Sequence, residues 1–172
     1  MLPAPPQPLP PGFEAHAFDA SFEIRVPREQ VWEWLETPAT FTDGQVWPFR
    51  VEFLSREPGE PVGFHEGGLN AHHGPAMSFV GILTEIREGA YRDLRYFYGS
   101  YVLSLRWIRP TRLEFWVEDA SEGATQVRLR VESQVRRGGA GAWSWLQKRF
   151  WGRFPRWMSK SLRGTASELR TA

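Results

Sequence analysis

Between Phe49 and Arg136 the chain reads as strand after strand, and the segment behind it reads as one amphipathic helix. Stacked antiparallel strands leave one apolar face that another layer must cover. The helix is long enough to do so. Trp143, Leu146, Phe150, Phe154, Trp157 and Ser161 recur at spacings of three and four, an apolar stripe that begins after Gly138-Gly139. Pro155 lies inside this pattern, so a kink is expected there.

The strands follow from alternation. Phe18, Ala20, Phe22, Ile24 and Val26 face one way, with Asp19, Ser21, Glu23 and Arg25 on the other, which predicts a half-buried strand over 18–26. Pro27 stops it. Arg28-Glu29-Gln30 opens a short helix with an apolar stripe of Val31, Trp32 and Leu35, Thr37-Pro38 ends it, and 39–42 fit one more turn. Further strands are expected at 49–53, weakly at 62–67, and at 77–86, 91–98, 101–108, 113–118 and 125–135. Gly67 to Pro75, with His72-His73, has the composition of a loop.

Hairpin arithmetic sets an expected register. A two-residue loop at Gly99-Ser100 pairs Tyr98 with Tyr101, Tyr96 with Leu103 and Leu94 with Leu105. A three-residue loop at Arg109-Pro110-Thr111 then pairs Trp107 with Leu113, Leu105 with Phe115 and Leu103 with Val117. This keeps one face apolar. The same parity pairs Phe115 with Leu129 and Leu113 with Val131. The inner face so built, together with the helix stripe, makes Tyr96, Tyr98, Tyr101, Leu103, Leu105, Trp107, Phe115, Phe150, Phe154 and Trp157 the candidate ligand-lining residues.

Composition narrows the function classes. Nine Trp, 4 Tyr and 12 Phe make 15% of the 172 residues aromatic, enough for a substantial core or for the walls of an apolar pocket. With no cysteine, the chain has no thiol nucleophile, disulfide framework or cysteine-based metal site, and a reducing cytoplasm is the expected location. No run of about 18 apolar residues occurs, so no helix is expected to span a membrane. Six of the first twelve residues are proline, which separates an extended arm, 1–13, from a single domain, 14–172. Net charge is +1, yet residues 1–135 hold 12 Lys and Arg against 19 Asp and Glu, whereas 136–172 hold 9 against one. Arg149, Arg153, Arg156, Lys160 and Arg163 form a basic strip beside the apolar stripe. It has two readings: peripheral contact with an anionic membrane or phosphate backbone, or a solvated face with some arginines paired to the acidic body. The asymmetry does not by itself imply nucleic acid.

The segment Phe22-Glu23-Ile24-Arg25-Val26-Pro27-Arg28-Glu29-Gln30-Val31-Trp32 resembles the first strand and helix of the START-like (SRPBCC) superfamily, which includes Bet v 1-like proteins, polyketide cyclases and lipid-transfer domains. Trp47-Pro48-Phe49-Arg50-Val51 resembles that family's entry to its second strand. The resemblance covers residues 16 to about 170. Two departures are Val26-Pro27 in place of the familiar Ala-Pro and one extra strand by our count. It implies an α+β helix-grip fold, in which a curved antiparallel sheet of seven or so strands wraps a long C-terminal helix, with short helices after the first strand. It also implies a cavity between sheet and helix for lipids, sterols, polyketides or other apolar molecules, with no fixed catalytic set.

Chemistry-bearing motifs are otherwise sparse. No Gly-x-Ser-x-Gly elbow, Walker loop or dinucleotide fingerprint occurs, and no cofactor is implied. His65, Glu66, His72 and His73 have no recognised metal-ligand spacing, so no metal is expected. Tyr96, Tyr98 and Tyr101 need partners for their hydroxyls, which a ligand, the backbone or water can supply. The expected function is binding, as carrier or sensor, of an apolar or aromatic small molecule. The alternatives are an aromatase/cyclase-type enzyme in the same cavity, or an interaction protein working through the basic helix on membrane or RNA. The oligomeric state is not set by sequence.

Overall fold

The computed structural model describes residues 7–43, 49–102 and 105–168, with side chains to Arg163. Trp47, Pro48 and Leu103, which carry expectations above, lie outside these residues. The first strand, β1 (Phe13–Ile24), leads into α1 (Arg28–Glu36) and α2 (Pro38–Thr42). Six strands follow: β2 (Arg50–Leu54), β3 (Leu69–Gly74), β4 (Met77–Arg87), β5 (Tyr91–Tyr101), β6 (Ile108–Ser121) and β7 (Ala124–Arg136). The chain ends in α3 (Ala140–Trp151) and α4 (Phe154–Glu168). All seven strands form one antiparallel sheet in the order β1-β7-β6-β5-β4-β3-β2.

The expected pairs Phe115–Leu129 and Leu113–Val131 form, and β1 lies beside β7 with Phe22 opposite Val127. The other two expected hairpins do not form. Gly99 is not in a turn but inside β5, at φ +109°, and a Cβ there would fall 2.1 Å from the Ser78 carbonyl oxygen. It is a strand glycine that allows close approach of β4. Pro110 likewise lies inside β6, at a register shift and beside the stretch of β5 that leaves the ladder between Arg95 and Tyr101. A strand tolerates proline at such a bulge because no ladder bond is lost. Leu94 therefore pairs with Leu113 rather than Leu105.

Three further expectations are corrected. β1 begins at Phe13 rather than Phe18. Residues 62–67 form no strand, whereas the expected Gly/His loop supplies β3, held between β2 and β4. The single kinked helix is two helices, α3 ending at Trp151 and α4 beginning at Phe154. Pro155 stands in the first turn of α4, where its missing N–H costs little.

The core at the α4 end is densely aromatic. Trp34 packs on Trp157 at 4.8 Å and on Phe154 at 5.9 Å, and Phe154 reaches Trp151 at 5.1 Å and Phe115 at 5.9 Å. Val31, Leu35, Val117, Val127, Leu129 and Met158 complete it, each almost fully buried. No helix among the described residues is long and apolar enough to cross a membrane.

Candidate functional site

Away from that core, the concave face of the sheet is lined by polar side chains as well as rings. Asn70 and His72 project from β3, Phe79 from β4, and Tyr96 and Tyr101 from β5. Trp143 and Gln147 descend from α3. The His72 ring stacks on Phe79 at 5.2 Å and meets Tyr96 edge-on at 5.3 Å, with the Tyr96 hydroxyl 3.5 Å from His72 Nε2. Tyr101 bridges to the helix, its ring 4.6 Å from Trp143 and 5.3 Å from Phe79. Gly81 makes room for this arrangement, because a Cβ there would stand 2.9 Å from the Tyr96 ring.

One polar atom of this group lacks a partner among the described residues, while Tyr101 and Gln147 are hydrogen-bonded to each other. Asn70 is 1% exposed, and its Oδ1 has no hydrogen-bond partner among the described residues. A buried polar atom left without a partner costs about 1–3 kcal/mol. Gln147, also buried, accepts the Trp151 indole N–H at 2.7 Å. Arg92 closes the end of the group nearest the aromatic core. Its guanidinium lies 4.1 Å from the Phe64 ring centre and donates to the Leu35 carbonyl.

Desolvation governs how these groups titrate. Burial, helped by the positive charge of Arg92, drives His72 down to about 3, so the ring is neutral at physiological pH. Burial raises the Tyr96 and Tyr101 hydroxyls well above the usual tyrosine range. It lowers Arg92 to about 10, which leaves it charged. His72 and Tyr101 are thus embedded deeply enough for desolvation to dominate, yet both keep accessible surface.

Comparison with solved structures supplies the wider context. An aromatase/cyclase, Zhui, from Streptomyces sp. R1128 superposes with a TM-score of 0.63 at 11% identity, over 87% of this chain and 94% of that one. Norcoclaurine synthase from Thalictrum flavum, solved with dopamine and hydroxybenzaldehyde, gives 0.62 at 10% identity over 89% of each chain. Ara h 8.0201 gives 0.59 at 12% identity, over 88% of this chain and 99% of the other. The chain has the Bet v 1-like helix-grip fold. No protein-family model matches the sequence, and no curated protein matches it either.

Within the helix-grip frame the residues singled out from sequence divide into four groups. Tyr96 and Tyr101 stand on the concave face beside His72. Phe115, Phe154 and Trp157 belong to the aromatic core near α1. Phe150 leans on Phe49 at 5.2 Å and is partly exposed. Tyr98, Leu105 and Trp107 do not face inward: they are 67%, 50% and 50% exposed, a correction that follows from the continuous β5 and the displaced hairpin.

Asn70, His72, Arg92 and Gln147 were not among the residues expected from sequence. Their signal was an alternation of polar residues, Asn70 and His72 two apart, inside a segment whose glycines and histidines read as loop. The suspected His65, Glu66, His72 and His73 cluster is dispersed. His65 bonds the Pro61 carbonyl through Nε2, His73 points to the opposite face from His72 towards Glu52, and Glu66 accepts the Ile86 N–H. Two hollows open elsewhere. One of about 520 Å³ lies along α1, lined by Trp32, Glu33, Glu36 and Glu88; one of about 490 Å³ lies beside α4, lined by Arg156, Ser159 and Lys160.

Proposed function

We propose that the protein binds a small aromatic molecule carrying a hydroxyl or carbonyl group, seated between β3–β5 and α3. One observation carries this reading: His72, Tyr96 and Tyr101 gather around Phe79, with Trp143 on Tyr101, and two residues along β3 Asn70 is buried with its Oδ1 unpartnered among the described residues. Rings supply the apolar contact area, and the polar atoms orient the ligand. Neutral His72 Nε2 and Asn70 Oδ1 suit a ligand hydroxyl as donor, and the tyrosine hydroxyls suit its acceptor. The class agrees with a fold relative solved with dopamine and hydroxybenzaldehyde and with another that is an aromatase/cyclase.

Calorimetry with naphthols and hydroxybenzaldehydes tests the reading. Tyr101→Phe and Asn70→Leu are each expected to weaken binding about five- to tenfold, the worth of one hydrogen bond. Exposed Tyr98→Phe should leave affinity unchanged. Equal affinity in all four proteins, or none in the wild type, removes the proposal.

A further inference from the structure

The two sides of α3 differ in a way that packing does not explain. Trp143 and Gln147 point to the sheet, whereas Trp145, Leu146 and Phe150 stay exposed, Trp145 by 61%. At roughly 100° per residue Trp145, Arg149, Leu146 and Phe150 fan over an arc of about 140°, with Phe150 at its edge next to Trp143. The Arg149 guanidinium rests 5.9 Å from the Trp145 ring centre, and Phe150 reaches Phe49 at the entry to edge strand β2. Three large apolar side chains exposed along one helix, an indole, an isobutyl and a phenyl group, mark an interaction surface.

Charge narrows the partner. From Ala140 to Arg163 there are six cations, Lys148, Arg149, Arg153, Arg156, Lys160 and Arg163, and no Asp or Glu. Among the described residues none of the six pairs with a carboxylate. Among the described residues, then, the strip is not tied to the acidic body and its cations face solvent or a partner. A second copy would set the same cations face to face. A nucleic acid would use the cations but leave Leu146 and Phe150 in water.

We infer that this flank of α3 docks on an anionic lipid surface. Trp145, Leu146 and Phe150 enter the headgroup layer while Lys148, Arg149 and Arg153 meet the lipid phosphates and carboxylates. Docking through this flank is independent of what the concave face binds.

Sedimentation with phosphatidylcholine vesicles, with and without phosphatidylserine, tests it, with light scattering for self-association. The protein should pellet only with the serine lipid, and added salt should release it. Each cation near the surface is worth about fivefold in binding, so Arg149→Glu with Arg153→Glu should weaken it by more than about twentyfold. Trp145→Ser with Leu146→Ser should abolish it while circular dichroism and Tm stay at wild-type values, since both side chains are exposed. A wild type that stays in solution at low salt overturns the inference. So does equal pelleting with neutral vesicles, or a dimer that the serine pair disperses.

Discussion

His72 shows how one side chain's surroundings become a property of the molecule. It stacks on Phe79 and faces Tyr96, with the buried Arg92 charge nearby. Burial among these rings and the Arg92 charge oppose a second positive charge. The unfolded chain takes up a proton at this ring below about pH 6.5, whereas the folded chain does so only near pH 3. Stability therefore falls as pH drops through that window. The loss at pH 5 relative to pH 7 should be roughly 2 kcal/mol. Urea melts at the two pH values check this, and His72→Gln should remove most of the difference. A wild-type stability equal at both, or a slope that survives His72→Gln, would mean the ring is solvated. His16, also lowered by burial, adds a smaller change of the same sign. None of this was legible in Leu69-Asn70-Ala71-His72-His73-Gly74, because no apolar alternation marks it as a strand. Only pairing with β2 and β4 makes it one.

The same contrast between local signal and tertiary context runs through the strands and helices. β1, α1, β7 and the amphipathic stripe were legible because alternation or helical spacing repeats over many residues. Gly99-Ser100 and Pro110 misled for a common reason. Glycine and proline usually punctuate turns, yet here both occupy irregular positions where β5 departs from its neighbour. Trp34 was also missed, since it lies outside the stripe of Val31, Trp32 and Leu35 but is buried by α4. Gly99→Ala discriminates the two readings of its site. In an exposed two-residue turn the change would cost about 1 kcal/mol. Inside β5 the added Cβ overlaps the Ser78 carbonyl and Phe79 Cα, so a loss of several kcal/mol is expected in chemical denaturation. A variant within about 1 kcal/mol of wild type would restore the turn.

For the molecule as a whole, seven antiparallel strands wrap α3 and α4 and divide the interior into two regions. One is closed by the ring contacts among Trp34, Phe115, Trp151, Phe154 and Trp157 and serves stability. The other, between β3–β5 and α3, holds Asn70, His72, Tyr96 and Tyr101 and leaves Asn70 Oδ1 without a partner among the described residues. The helix stripe named Phe154 and Trp157 as ligand-lining, and in the structure both pack in the first region. Periodicity identifies which residues are buried without saying what buries them. The claim that the second region receives an aromatic ligand is tested most directly by NMR. With the His72 ring and Asn70 side-chain amide assigned, the protein is titrated with 1-naphthol. Saturable shifts at both groups, absent in Tyr101→Phe at the same ligand concentration, are the expected result. Shifts confined to Trp32 along α1 or to Lys160 beside α4, or no shift at all, would contradict the account.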